Sequence, residues 1–188
     1  MTIRSPPPRG SSHGPPCAPA DPAGCARIWR VPDSRVQIRP AREDDRMPMA
    51  LLFAAVAEER DGIASEPPVD IDARAASWTI EGTFVAVADG DVVGMLHVEP
   101  SRHGFGELGM GVAREWRGCG VGTALLTEAI GWARAQGLHK LILGVFVHNA
   151  AGIALYRKLG FVEEGRRVKQ YRRSSGELWD SIEMGLLL

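Results

Sequence analysis

The stretch EWRGCGVGTALLTEAIGW, residues 115–132, sets Gly118, Gly120 and Gly122 at alternate positions directly before a run with helical spacing. Glycine weakens a helix by about 1 kcal/mol per residue relative to alanine. Three of them at a helix start therefore serve something other than helix stability. A glycine-rich bend between a strand and a helix N-terminus is an anion site, because bare backbone N–H groups and the positive end of the helix converge on one spot. Three phosphate-binding patterns compete for this bend. The P-loop requires GxxxxGK followed by Ser or Thr, and the chain contains no Gly-Lys pair. The dinucleotide fingerprint GxGxxG requires glycine at 123, where Thr123 stands. What remains is Arg-x-x-Gly-x-Gly, Arg117 to Gly122, whose guanidinium is suited to phosphate oxygens. Cys119 inside the bend raises a second possibility, a thiolate nucleophile activated by the same N–H groups.

Two further stretches flank this loop: GELGMGV (106–112) before it and VHNAAGIALYRKLGFVEEG (147–165) after it. With RGCGVGTALL between them, the three motifs resemble, in order and spacing, the acetyl-CoA signature of the GNAT superfamily of N-acetyltransferases. The likeness spans roughly 36–187 and is strongest over 105–165. It implies an α/β fold of the GNAT (acyl-CoA N-acyltransferase) type, a mixed central sheet with splayed strands flanked by about four helices. It also implies acetyl-CoA as cosubstrate, no metal, and direct attack by an amine in a ternary complex, which leaves Cys119 as filler.

By that resemblance Arg117, Gly118, Cys119, Gly120, Val121, Gly122 and Thr123 contact the diphosphate. Backbone groups of Met110, Gly111 and Val112, freed where the strands splay, pair with the pantetheine arm, and an N–H there polarises the thioester carbonyl. Asn149 contacts coenzyme A as well as capping a helix. Tyr156 stands where the family places the tyrosine that gives a proton to the departing sulfur, the competing reading being a core tyrosine. Glu107 lies where the histone-acetyltransferase branch carries its base, the competing reading being a strand-end carboxylate without catalytic duty.

The acceptor implied is the amine of a small molecule or amino acid. Ribosomal-protein N-terminal acetyltransferases carry a glutamate in the strand before the asparagine, where this chain reads Leu143, Gly144 and Val145. A protein N-terminal acetyltransferase and a non-catalytic acetyl-CoA sensor are the alternatives. Residues 58–72 carry Glu58, Glu59, Asp61, Glu66, Asp70 and Asp72 against Arg60, which suits either a cationic amine or a solvated loop. Arg166, Arg167, Lys169, Arg172 and Arg173 offer partners for a carboxylate. EPPVD (66–70) resembles the loop of amino-acid and small-amine acetyltransferases.

The elements that must position these groups alternate along the chain. VQIRPA (36–41) reads as a strand, and the segment after Glu43 as a helix that tolerates Pro48 only in its first turn. A short helix is expected over 72–78. Apolar runs on either side of Asp89-Gly90-Asp91 signal a hairpin over 83–99. A glycine-weakened strand covers 105–113. A helix runs from about Gly120 to Gln136 with Val121, Leu125, Ala129 and Trp132 on one face. LILGVFV (141–147) has the continuous apolar pattern of a parallel strand covered on both faces. Asn149 caps a helix to Leu159, and strands near 161–172 and 178–187 close the sheet.

At 188 residues, 45% apolar and 24% charged, the chain fits one globular domain. We expect it over 35–188, after a Pro-rich extension (1–34) that holds eight of the thirteen prolines and is expected to be disordered. A net charge of −1 lacks the basic footprint of a nucleic-acid binder. No apolar run reaches the roughly 18 residues of a membrane span or the apolar segment of a signal peptide, so no membrane partner and a cytoplasmic location are expected. Cys17, Cys25 and Cys119 have no CxxC spacing and indicate neither disulfides nor zinc. The resemblance adds a possible homodimer.

Overall fold

A computed structural model describes residues 29–31 and 34–188; the expected extension otherwise lies outside the described residues. Eight strands form one sheet: β1 (Trp29–Val31), β2 (Ser34–Pro40), β3 (Thr83–Ala88), β4 (Asp91–Pro100), β5 (Phe105–Val112), β6 (Lys140–Phe146), β7 (Val162–Arg172) and β8 (Leu178–Leu187). Their order is β1-β2-β3-β4-β5-β6-β8-β7. The helices are α1 (Arg46–Glu58), α2 (Ile71–Ser77), α3 (Val121–Ala135) and α4 (Ala150–Lys158). The sheet thus begins at Trp29, ahead of the expected start of the domain, because β1 pairs antiparallel with β2.

Local chemistry accounts for the elements that matter. Asp89 and Gly90 both take positive φ, 51° and 95°, the turn geometry that matches strand twist in a two-residue hairpin. Pro48 occupies the first turn of α1, where its missing N–H costs nothing. One face of the sheet is covered by α1, whose Met49, Leu52 and Val56 pack on Val85 and Met95. The other is covered by α3 and α4, which bury Leu125, Leu126, Ala129, Ile153 and Tyr156 against Leu96, Leu141 and Leu143. Each fully buried leucine among these contributes about 1.5–3 kcal/mol. No helix among the described residues is long and apolar enough to cross a membrane.

The sheet is antiparallel except at its centre, where β5 and β6 run parallel. That pairing stops early: Phe105, Gly106 and Glu107 meet Lys140, Leu141 and Ile142, and no further pairs form. Beyond it the strands part, as the resemblance implies. β6 departs from its expected double cover. Leu141, Leu143 and Val145 are buried on the α3/α4 side, whereas Gly144 on the opposite side is exposed. Its apolar run continues through the site because Gly144 and Phe146 face the gap rather than a helix.

Candidate active site

The gap between β5 and β6 is a cavity of about 830 Å³ that passes from the glycine bend and α4 on one side to residues 61–64, after α1, on the other. At the first opening, Gly118 and Gly120 adopt φ of 74° and 90°, a left-handed geometry that costs other residues roughly 1 kcal/mol or more. Gly120 is the N-cap of α3, and no side chain caps that helix end. The first N–H groups of α3 are thus left without side-chain partners. A Cβ on Gly122 would stand 2.9 Å from Leu155 and 3.2 Å from Met110, so glycine is what lets the helix start approach α4 and β5. Gly118, Gly120, Gly122 and Thr123 line the cavity. Val121 is instead core, 1% exposed. Cys119 is half-buried and outside the lining; both residues can offer the bend only backbone groups.

Arg117 lines the cavity and is also tied into the fold. Its guanidinium grips Glu59 with two hydrogen bonds of 2.7 and 2.9 Å, and its Nε donates to the Val112 carbonyl at 2.9 Å. Arg114 also approaches Glu59, at 3.3 Å. The Arg117 hydrogen bonds hold the Glu59 carboxyl below the usual carboxylate range against the opposing effect of burial, with Arg114 assisting. The arginine thus ties the bend to the C-terminal end of α1 and to the end of β5.

Met110, Gly111 and Val112 line the gap, paired with β4 on one edge and unpaired with β6 on the other. Asn149 caps α4, its Oδ1 accepting from the Gly152 N–H at 2.9 Å, and also lines the cavity. Tyr156 lines it too, while burial alone pushes its hydroxyl up to about 12. At neutral pH this hydroxyl is therefore a fixed hydrogen-bond donor. Glu107 is not brought to the site. It is exposed, sits in the part of β5 still paired to both neighbours, and lies outside the cavity lining.

Beyond the gap, the charges singled out in the sequence are mostly committed to structure. Glu66 accepts from the Ser174 N–H and hydroxyl, Asp70 caps α2, Arg166 pairs with Asp180, and Arg167 with Glu183. Arg173 is a buried strap, its side chain 3% exposed. It donates to the carbonyls of Ala64 at 2.8 Å and Arg60 at 3.2 Å, and lies 4.4 Å from the Trp179 ring. Asp61 alone of the acidic residues in that loop lines the cavity. Sequence reasoning missed Glu59 as a partner of the bend, Arg173 as an anchor, and His148 and Ser181 as lining residues. His148 had one local signal, its place directly before a helix-capping asparagine. Among the described residues no cluster of His, Cys, Asp or Glu is arranged to hold a metal ion.

Comparison with known proteins identifies the family and the fold. Residues 49–161 match the family model described as "Acetyltransferase (GNAT) family". The chain belongs to the GNAT family. It is 38% identical over 109 residues, 54% of its length, to the L-amino acid N-acetyltransferase of Escherichia coli, and covers 65% of that protein. It is 32% identical over 140 residues, 69% of its length, to an L-methionine sulfoximine/L-methionine sulfone acetyltransferase of Pseudomonas aeruginosa, covering 81% of it. Among solved structures, a ribosomal-protein-alanine N-acetyltransferase from Brucella melitensis superposes with TM-score 0.74 at 32% identity, covering 81% of this chain and 99% of that one. The chain spans slightly under two thirds of the E. coli relative and half or less of the mycothiol acetyltransferases it also matches.

Proposed function

We propose that the protein transfers the acetyl group of acetyl-CoA to the primary amine of an amino acid or similar small molecule by direct attack. The observation that carries this reading is the gap between β5 and β6: one cavity is lined both by the glycine bend and by residues 61–64. Two substrates entering from opposite ends would meet where β5 has unpaired backbone groups. The bend and the uncapped start of α3 suit a diphosphate. The free edge of Met110 to Val112 suits the amide-bearing arm of acetyl-CoA, and an N–H there polarises the thioester carbonyl. Tyr156 offers its donor to the leaving sulfur. A thiol of ordinary pKa, about 8.5, is a stronger acid than this buried phenol, so Tyr156 serves by hydrogen bonding to the thiolate rather than by holding a charge itself.

The amino-acid acceptor is favoured by the two curated relatives, whose names specify amino-acid substrates or close analogues. A protein N-terminus is a second reading, favoured by the likeness to the Brucella enzyme. In the strand before Asn149, where such enzymes carry a glutamate, this chain reads Leu143, Gly144 and Val145, and this argues against it. Thiol release from acetyl-CoA, followed across a panel of free amino acids, simple amines and peptides with free N-termini, tests the proposal. Turnover with free amino acids is expected. Turnover with peptides alone would replace the acceptor class, and binding of acetyl-CoA without turnover of any amine would leave only a sensor.

A further inference from the structure

An ammonium group must lose a proton before it can attack, and Glu107 does not reach the cavity. The ionisable side chains that line it are Asp61, Arg117, His148, Tyr156, Lys158 and Tyr171. Of these, only a carboxylate and an imidazole carry a basic lone pair near neutral pH. A carboxylate, with an ordinary pKa of about 3.9, is a poor match to that pH, whereas an imidazole, at about 6.5, is a close one.

His148 is held in one orientation. Its ring stacks on Phe146, with centroids 5.4 Å apart and planes 15° apart, and meets the edge of Trp179 at 4.5 Å. Its Nε2 lies 3.0 Å from the backbone carbonyl of Asp61. A carbonyl only accepts, so Nε2 carries the hydrogen, and in the neutral ring Nδ1 is left as a bare lone pair. Nδ1 has no partner among the described residues. The residue is exposed, which gives a captured proton a path to solvent. Nearby, Ser181 lines the same cavity with its hydroxyl buried and without a hydrogen-bond partner. A buried polar atom left unpaired is costly.

Resting on the acetyltransferase reading above, we propose that His148 is the general base that deprotonates the acceptor amine, with the Asp61 carbonyl fixing its tautomer. The acceptor ammonium gives one proton to Nδ1, forming the imidazolium. The freed nitrogen lone pair forms the C–N bond as the C–S bond breaks. The second amine proton is shed as the amide forms, and its equivalent ends on the sulfur beside the Tyr156 hydroxyl, leaving free thiol. His148 then returns its proton to solvent. The groups sharing its surroundings are Asp61 from the loop after α1, Tyr171 and Arg173 from β7 and the turn beyond it, and Tyr156 and Lys158 from α4.

The test uses His148→Gln, whose amide still donates to the Asp61 carbonyl but has no base, and His148→Ala. Each is examined for acetyl-CoA affinity and thermal stability alongside turnover. For an acceptor amine of pKa about 10.4, kcat/KM of both variants at pH 7 should fall by about 100-fold or more. For an α-amino group near 7.7–8.0 the loss should be smaller. The deficit should shrink as pH rises, added imidazole should restore part of the activity of His148→Ala, and acetyl-CoA affinity should not change. In the protein without acetyl-CoA, ring nitrogen chemical shifts should place the proton on Nε2. Active wild type together with a His148→Gln variant equally fast at every pH, or a neutral ring protonated on Nδ1, overturns the base role alone. A wild type that turns over no amine overturns the acetyltransferase reading and this role with it.

Discussion

Replacing Arg173 with methionine removes a charged fork while keeping most of the packed stem. In the native fold the guanidinium is buried over Trp179, bonds the Ala64 and Arg60 carbonyls at 2.8 and 3.2 Å, and lies 3.6 Å from Glu66. Hydrogen bonds to charged groups contribute roughly 1.5–3 kcal/mol each. The loop carbonyls lie near the surface and regain water once freed, so about half of the two-bond total persists, a net loss of about 1.5–3 kcal/mol. For a domain of this size 1 kcal/mol corresponds to about 2–4 °C in Tm, giving a fall of roughly 3–12 °C by calorimetry. Since Arg173 holds residues 60–64, of which 61–64 line the cavity away from the glycine bend where the amine is proposed to enter, KM for the amine should rise several-fold while KM for acetyl-CoA stays within about twofold. Arg173→Lys should fall between, retaining charge without the fork. A Tm within about 2 °C of wild type with an unchanged acceptor KM would refute the idea that this strap shapes the opening.

Tyr156→Phe should lower kcat by about 10- to 100-fold with little change in acetyl-CoA affinity, measured by stopped-flow thiol release. Because its folded pKa is raised to about 12 from 10.0, Tyr156 stabilises the fold below pH 10 and loses that contribution as pH climbs towards 12, a decline absent from the Phe variant. The Glu59 carboxyl is depressed by Arg117, so its contribution is present above the ordinary carboxylate pKa and is lost as pH falls through the lowered folded value. The gap in urea midpoint between wild type and Glu59→Gln should therefore be widest near neutral pH and close as the solution is acidified below the ordinary carboxylate range.

The features legible in the sequence are those written in adjacent residues. The hairpin at Asp89-Gly90, the helix behind Gly120, the cap at Asn149 and the parting of β5 from β6 all fall where local spacing or family likeness placed them. The contacts that complete the site join distant parts of the chain. Arg117 finds Glu59 across 58 positions, His148 finds the Asp61 carbonyl across 87, and Arg173 finds Ala64 across 109. No periodicity encodes such pairings. Glu107 is the reverse case. Its neighbourhood in the sequence suggested chemistry, but it is the last residue of β5 still paired with β6 and stands outside the cavity lining, which on β5 begins at Leu108.

The early end of the β5–β6 pairing has a mechanical consequence. Strands β1–β5 and β6–β8 are two plates joined edge to edge by only three residue pairs at one corner. A molecule threaded between them occupies the place of a missing strand, and its binding energy becomes part of the cohesion of the fold. On the proposed reading, the fold is most complete when its acyl donor is in place, and releasing the spent carrier reopens the seam.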